Sequence, residues 1–421
     1  MKQYDSYKDS GVEWIGKVPS HWEIIRSRYL CNLCTGNKDT INRVDDGKYP
    51  FYVRSPKVER INTYSFDGEA ILMAGDGVGA GKVFHYANGK FDYHQRVYNF
   101  HDFKRITGKF FYYYIANNFR YIIEEGGAKN TVDSVRLYMI QNFLMTVPPK
   151  EEQRDIVSYL DKKCSEIDNV ISAQQRRIAL LQELKQSVIT HAITKGLNPN
   201  VEMKDSGVDW IGKIPANWNI VRLKNDCSLK GRIGWNGLRS EEFEEKSYAY
   251  LVTGQDFVSS DIDWSKCYQI NKERYDEDPC IQLENGDLLI TKDGTIGKIA
   301  KVSNMDKPAC LNSGIFVLKQ NSRNEFIQGY LYWSLYSNLL KNFNSYTSTG
   351  TTILHLYQNV FENMPLVVPS KNEQQDISDY LDEKVKVIDN SISKAQYQVE
   401  LLQEYKQSLI TEVVTGKRKV C

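Results

Sequence analysis

Two hydrophobic periods divide this chain. Between residues 152 and 194 apolar side chains recur at Leu160, Cys164, Ile167, Ile171, Ile178, Leu181, Val188 and Ala192, a heptad spacing interrupted at Gln174 and Lys185. The same spacing returns between 373 and 415, at Leu381, Val385, Ile388, Ile392, Ala395, Leu402, Leu409 and Val413, with Val399 between them. Lys406 breaks this second seam at the place corresponding to Lys185. A sustained seven-residue period predicts long helices in a left-handed coiled coil. Pro149 and Pro369 precede the two segments, and Gly196 and Gly416 close them, as start and stop signals require. At 1.5 Å per residue each rod spans roughly 60 Å. The rods can pair within one chain or across a dimer; an antiparallel pair within the chain leaves a globular segment at each end.

The remaining segments, 23–147 and 219–368, alternate apolar and polar residues in short runs broken by Gly and Asn, which predicts mainly strands. Helices are expected near 108–125 and 324–341. Each segment holds a related motif, AILMAGDGVGAGKVFHY at 70–86 and DLLITKDGTIGKIAKV at 287–302. Both read as a strand, a tight Asp-Gly turn and another strand ending Gly-Lys.

These patterns are written twice. KDSGVEWIGKVPSHWEIIR at 8–26 aligns without a gap to KDSGVDWIGKIPANWNIVR at 204–222. EQRDIVSYLDKK opens 152–194 and EQQDISDYLDEK opens 373–415, and about two dozen of these 43 aligned positions are identical. The first pair is offset by 196 residues and the second by 221, so the segment between the repeats is 25 residues longer in the second half. The repeated parts read as scaffold and the divergent parts as two readers of different things. Two long units are too few for a solenoid. The expected fold is α+β, with two α/β domains in a pseudo-two-fold arrangement joined by two long antiparallel coiled-coil helices. The boundaries fall at 1–150, 151–197, 198–370 and 371–421.

Composition narrows the chemistry. The 421 residues carry a net charge of +1, so the chain is no polycation, although a few well-placed Lys and Arg suffice for phosphate contacts. The 27 tyrosines are mostly packing residues, with base stacking open to some. No run of about 18 apolar residues occurs, which predicts a cytoplasmic protein without membrane contact. Eight cysteines are scattered along the chain, and the single close pair, Cys31 and Cys34, lacks the two further ligands of a structural zinc site. GDGVGAGK resembles a phosphate loop but has Asp76 where that loop needs glycine, and Val83 follows Lys82. The Glu183–Lys185 and Glu404–Lys406 triplets lie on helices without a preceding acidic strand residue, so they read as surface charges and a polar seam position. No catalytic residue, metal ligand or cofactor loop is identified.

Local basic and polar residues are the candidates for nucleic-acid contact. The first segment offers Arg54, Lys82, His94, Gln95 and Arg96, the second Lys230, Arg232, Trp235, Asn236, Lys292 and Lys298. Arg matches guanine edges and Gln or Asn matches adenine edges; solvated loops and salt bridges are the plain alternative. The coiled-coil positions are Leu160, Ile167, Ile171, Leu181 and Val188 on the first helix and Leu381, Ile388, Ile392, Leu402 and Leu409 on the second.

DSGVEWIGKVPSHW, the EQRDIVSYLD helix start, THAITKGLNPNVEMKDSGVDWIG across the domain junction and LLITKDGTIGKIA together resemble the specificity subunits of type I restriction-modification systems, over essentially the whole chain. That resemblance implies two target-recognition domains, each reading one half of a split, asymmetric sequence in double-stranded DNA, with the helices as a ruler between them. It implies two methyltransferase subunits that bind S-adenosylmethionine and methylate adenine, and two motor-nuclease subunits using ATP and Mg. It implies no catalytic residue and no cofactor in this chain. Two readings compete: an enzyme, either a fused methyltransferase-specificity protein or a nuclease with an unrecognised site, and a non-DNA scaffold with two β-rich interaction modules on a coiled coil.

Overall fold

The computed structural model describes residues 3–125, 134–232, 238, 240–347 and 356–420. They form two compact units, one from 1–176 with 396–421 and the other from 177–395. The unit boundary cuts both long helices, Lys150–Lys195 and Lys371–Val414, so each helix contributes one half to each unit. The helices are therefore not domains of their own: their ends are buried in the cores of the globular parts.

In the first unit six strands make one sheet, in the order 32–35, 97–101, 66–74, 84–93, 49–52, 59–61. All neighbours are antiparallel except 49–52 against 84–93. In the second unit four strands repeat the start of that order: 227–230, 315–320, 288–291, 299–301. The next strands depart from it. Residues 249–252, 268–270 and 309–311 form a separate three-stranded sheet with its own core around Leu251, Ile270 and Leu311. The second unit's additional 25 residues belong to this longer variable segment. Expected helices appear at Gly108–Glu125 in the first unit, and at Gln328–Tyr336 and Asn338–Thr347 in the second.

The expected tight Asp-Gly turn is a longer connection in both copies. Met73 pairs with Phe84, and Ile290 with Ile299, so loops of several residues separate the strands and Gly-Lys precedes the second strand. The Gly81 amide closes the first loop on the Ala74 carbonyl at 2.9 Å, and the Gly297 amide closes the second on Thr291 at 2.9 Å. Gly81 has φ +63°, and a Cβ there would collide with Ile123. The glycine-rich backbone thus approaches the protein's own helix, and no phosphate cradle is needed to explain it.

The repeated sequences build the same frame in each unit. Strand 23–26 pairs with 144–147, and 219–222 with 365–368. Gln153 is buried at the start of the first long helix. Its Oε1 accepts from the Thr107 amide (2.8 Å), and its Nε2 donates to the Arg105 and Pro148 carbonyls (2.9 and 2.8 Å). Gln374 does the same with the Ile327 amide and the Glu325 and Pro369 carbonyls. Each buried glutamine side chain satisfies three backbone groups, welding helix start to globular domain.

Helix direction follows from contacts inside each unit. In the first, Thr146 donates to the Val414 carbonyl at 2.6 Å, while Asp168, farther along, meets Lys406 at 2.7 Å. In the second, the Tyr330 hydroxyl lies 3.3 and 3.0 Å from the Ile193 and Val367 carbonyls, and Lys185 meets Asp389 at 2.8 Å. Both sets require antiparallel helix halves. The heptad breaks Lys185 and Lys406 are thus matched by seam carboxylates, the polar-seam reading of those positions. Leu160, Ile167, Ile171, Leu381, Ile388, Ile392 and Leu409 are buried, whereas Leu181, Val188 and Leu402 are half-buried. Towards the helix C-termini the buried stripe widens to Ile189 and Ile193, and to Ile410 and Val414. There each helix packs into a globular core, and the seven-residue seam gives way to the broader face of an ordinary surface helix.

Candidate nucleic-acid interface

In the first unit the segments at 36–43, 75–83 and 94–96 are tied to one another and to the end of strand 49–52 by backbone bonds. The Gly75 amide donates to Arg96, His94 to Tyr52 and Gln95 to Lys38, at 2.8–2.9 Å. On this framework Asp76 gathers two guanidinium groups. Arg54 Nη1 lies 2.9 Å from Oδ1 and Arg96 Nε 3.6 Å from Oδ2. Both arginines keep much of their side chains in solvent, so the pair is preorganised without being consumed. Gln95 Nε2 donates to Asp39 at 3.0 Å, which fixes its orientation. Lys82 is exposed on the same loop as Asp76.

His94 differs from the others, being only 2% exposed. Its Nδ1 accepts the Arg96 amide at 2.9 Å, which requires an unprotonated nitrogen. Burial, then the nearby Arg54 charge, lowers its pKa below the ordinary 6.5, against the opposing pull of Asp39 and Asp76. The imidazole therefore shapes the 94–96 turn and presents Gln95 and Arg96. Sequence reasoning missed Asp39 and Asp76. The Asp-Gly in GDGVGAGK signals turn chemistry, and nothing local marks its carboxylate as the partner of Arg54 and Arg96, 22 and 20 residues away.

The second unit arranges its candidates differently. Lys292 and Lys298 bracket the 292–298 loop. The Lys292 amide donates to Gly314 at 2.9 Å, and its ammonium lies 4.8 Å from the Phe316 ring centroid. Lys298 is exposed, as is Lys230 on the outer strand opposite Val317. Arg232 is not a surface group: it is 2% exposed, and its Nε donates to the Leu311 carbonyl at 3.0 Å. That bond makes it a support of the strand 309–311 in this structure. Trp235 and Asn236 lie outside the described residues.

The cysteine pair parts company in the fold. Cys31 is buried, its thiol turned to the Ser27 carbonyl, and burial pushes its pKa up to about 12. Cys34 instead meets the Tyr93 hydroxyl and His101. Among the described residues no group of three His, Cys, Asp or Glu side chains is placed to hold a metal ion. Among them, too, no helix is long and apolar enough to cross a membrane.

Comparison with known proteins agrees with this architecture. Residues 19–178 and 215–401 match the family model described as the type I restriction modification DNA specificity domain. The type I restriction enzyme MjaVIII specificity subunit of Methanocaldococcus jannaschii is 24% identical over 422 aligned positions, spanning 96% of this chain and 94% of its own. The type I restriction enzyme EcoDI specificity subunit of Escherichia coli is 29% identical over 233 residues, 52% of this chain and 51% of its own. Among solved structures, a chain from work on complex assembly and conformational transition of the type I R-M system shares the fold. Its TM-score is 0.68 at 14% identity, covering 94% of this chain and 98% of that one.

Proposed function

The chain belongs to the type I restriction modification DNA specificity family, and from that premise we propose that it selects an asymmetric two-part site in double-stranded DNA without itself catalysing a reaction. One half-site is read by the first variable segment and the other by the second. Two adenine methyltransferase subunits carrying S-adenosylmethionine dock on the frame. Two motor-nuclease subunits, with ATP and Mg, join when the complex restricts. The protein works in the cytoplasm.

The observation that carries this reading is the contrast between a frame whose helix starts, strand pairs and seam charges recur in both units and reading faces built from different residues. In the first face Arg54 and Arg96, steadied by Asp76, offer planar donors suited to guanine or to phosphate, and Gln95 suits adenine. Lys82 supplies a phosphate contact. In the second face Lys298 and Lys230 supply exposed charge, with the half-buried Lys292 beside them. Phosphate contacts fix register and groove contacts fix sequence. Two unlike faces then demand two unlike half-sites, and the long helices act as the ruler between them. One added base pair displaces a half-site by about 3.4 Å along the duplex and turns it by roughly a tenth of a turn, which a rigid ruler rejects.

The direct test is reconstitution with the adenine methyltransferase subunit, followed by mapping of methylated adenines on genomic DNA. A single split motif with a fixed gap is expected. Methylation without sequence preference would instead favour the non-DNA scaffold, and turnover by this chain alone would refute the non-catalytic role.

A further inference from the structure

In the first unit an exposed thiol, Cys34, sits beside an imidazole that is itself held by a carboxylate. Strand 32–35 forms an edge of the six-stranded sheet and pairs with 97–101, Asn32 opposite His101 and Cys34 opposite Asn99. Opposed residues of an antiparallel pair share a face, so thiol and imidazole meet diagonally across the two strands. His101 Nε2 lies 3.5 Å from Cys34 Sγ. On the other side of the ring, Nδ1 lies 2.9 Å from Asp102 Oδ2, which also accepts from Asn32 Nδ2 at 2.9 Å. The hydrogen bonds from Asn32 and His101 hold the Asp102 carboxyl below its ordinary pKa, so it stays ionised.

A carboxylate that accepts the Nδ1 proton leaves Nε2 as the acceptor, facing the thiol. The sulfur also lies 3.2 Å from the Tyr93 hydroxyl, whose pKa is raised to about 12, chiefly by burial, so that it stays a donor. Asn99 is fully buried opposite Cys34, and neither atom of its carboxamide makes a hydrogen bond of ordinary geometry. The other described thiols are buried, Cys280 excepted, and the Cys280 amide donates to the Asp278 carboxylate at 3.1 Å. Two exposed thiols therefore differ in their company: an imidazole for Cys34, a carboxylate for Cys280.

We propose that Cys34 is a nucleophilic thiol that exchanges with small dialkyl disulfides of the glutathione type, with His101 moving the proton and Asp102 positioning the imidazole. A nucleophile, a base within hydrogen-bond reach and a third group orienting that base are what this chemistry requires. His101 Nε2 takes the thiol proton, and the Cys34 sulfur attacks one sulfur of the disulfide. The disulfide's own S–S bond breaks as the bond to Cys34 forms. The departing thiolate takes the proton from His101 and leaves as a thiol. Cys34 is thereby oxidised to a mixed disulfide while half of the small disulfide is reduced. The Tyr93 hydroxyl, donating to the sulfur, steadies its negative charge before the attack.

The test uses the full chain and two probes, oxidised glutathione and dithiobis(nitrobenzoate). The second is a disulfide whose aromatic thiolate leaves readily without a proton. Peptide mass spectrometry follows the adduct at each cysteine over time, with Cys280 as the exposed comparator. Wild-type Cys34 reacts with oxidised glutathione at least about tenfold faster than Cys280. His101→Phe keeps a ring against Phe66, whose centroid lies 5.2 Å from that of His101. It slows Cys34 about a hundredfold with oxidised glutathione, yet only about tenfold with the aromatic disulfide, which has no need of the returned proton. A change of packing or access alone slows both probes alike. Asp102→Asn gives the same selective loss to a smaller degree should His101→Phe fold poorly; Asp102 is exposed, and Asn suits its left-handed φ of +52°. Cys34 reacting no faster than Cys280, or folded variants that slow both probes equally or neither, would overturn the proposal.

Discussion

The two units treat their inherited frame and their variable parts in opposite ways. Gln153 and Gln374 make the same three bonds, and each unit has its own Lys–Asp pair across the helix seam. Yet the first unit extends its four-strand nucleus into one six-stranded sheet, while the second sets a separate three-stranded sheet beside it. Their candidate faces differ as sharply: two arginines on one carboxylate in the first, lysines around one loop in the second. A frame that buries its polar groups tolerates little change, since every lost partner leaves a buried group unsatisfied. Loops whose side chains end in solvent carry no such constraint. Divergence is therefore concentrated where recognition is proposed.

That contrast can be broken deliberately, and the largest effect belongs to the frame. Gln374→Ala strands the Ile327 amide and two carbonyls, and should cost about 3–5 kcal/mol, read as a lowered denaturant midpoint. Asp389→Leu leaves the mostly buried Lys185 ammonium in the seam and should cost about 1–2 kcal/mol, whereas Lys185→Leu with Asp389→Leu should restore wild-type stability or exceed it. A double variant as unstable as the single one would show that the pair does more than neutralise a seam charge.

Substitutions in the reading face should leave stability within about 0.5 kcal/mol and act on DNA instead. Arg96→Ala should cost about 1–3 kcal/mol of discrimination at positions of one half-site, seen as relaxed methylation there, with the other half-site unchanged. Equal weakening on all sequences would make Arg96 a phosphate contact.

The smallest effect concerns pH. His94 titrates below its ordinary 6.5 in the folded chain. Above that value both states are neutral and stability is flat. As pH falls below it the unfolded chain takes up a proton that the folded chain refuses, so stability declines, levelling off below the folded pKa. Melting curves at about pH 7.5 and pH 5.5 should therefore diverge more for the wild type than for His94→Gln.

Much of the frame was legible in the sequence because it is periodic and repeated. The heptads located both helices, Pro149 and Pro369 marked their starts, and Lys185 and Lys406 stood out as breaks. The docked helix ends were less legible. Ile189, Ile193, Ile410 and Val414 are buried by globular cores, and no local pattern announces a tertiary partner. For the same reason the unit boundary inside each helix was out of reach. In the reading face, residue type pointed to Arg54 and Arg96, but their joining carboxylate, Asp76, depends on loops remote in sequence. Arg232 shows the converse limit: a basic residue in a Gly-rich run looks solvent-bound until strand 309–311 is seen to claim it.

If the helices are the ruler, inserting one heptad into residues 170–180 should alter the tolerated gap or abolish binding while both half-sites keep their sequence. The most direct measurement is an exchange of residues 23–147 for the variable segment of another family member, with methylated adenines mapped in the reconstituted complex. The account predicts that one half-site changes while the gap and the other half-site stay as they were. A motif altered in both halves, or left unaltered, would contradict it.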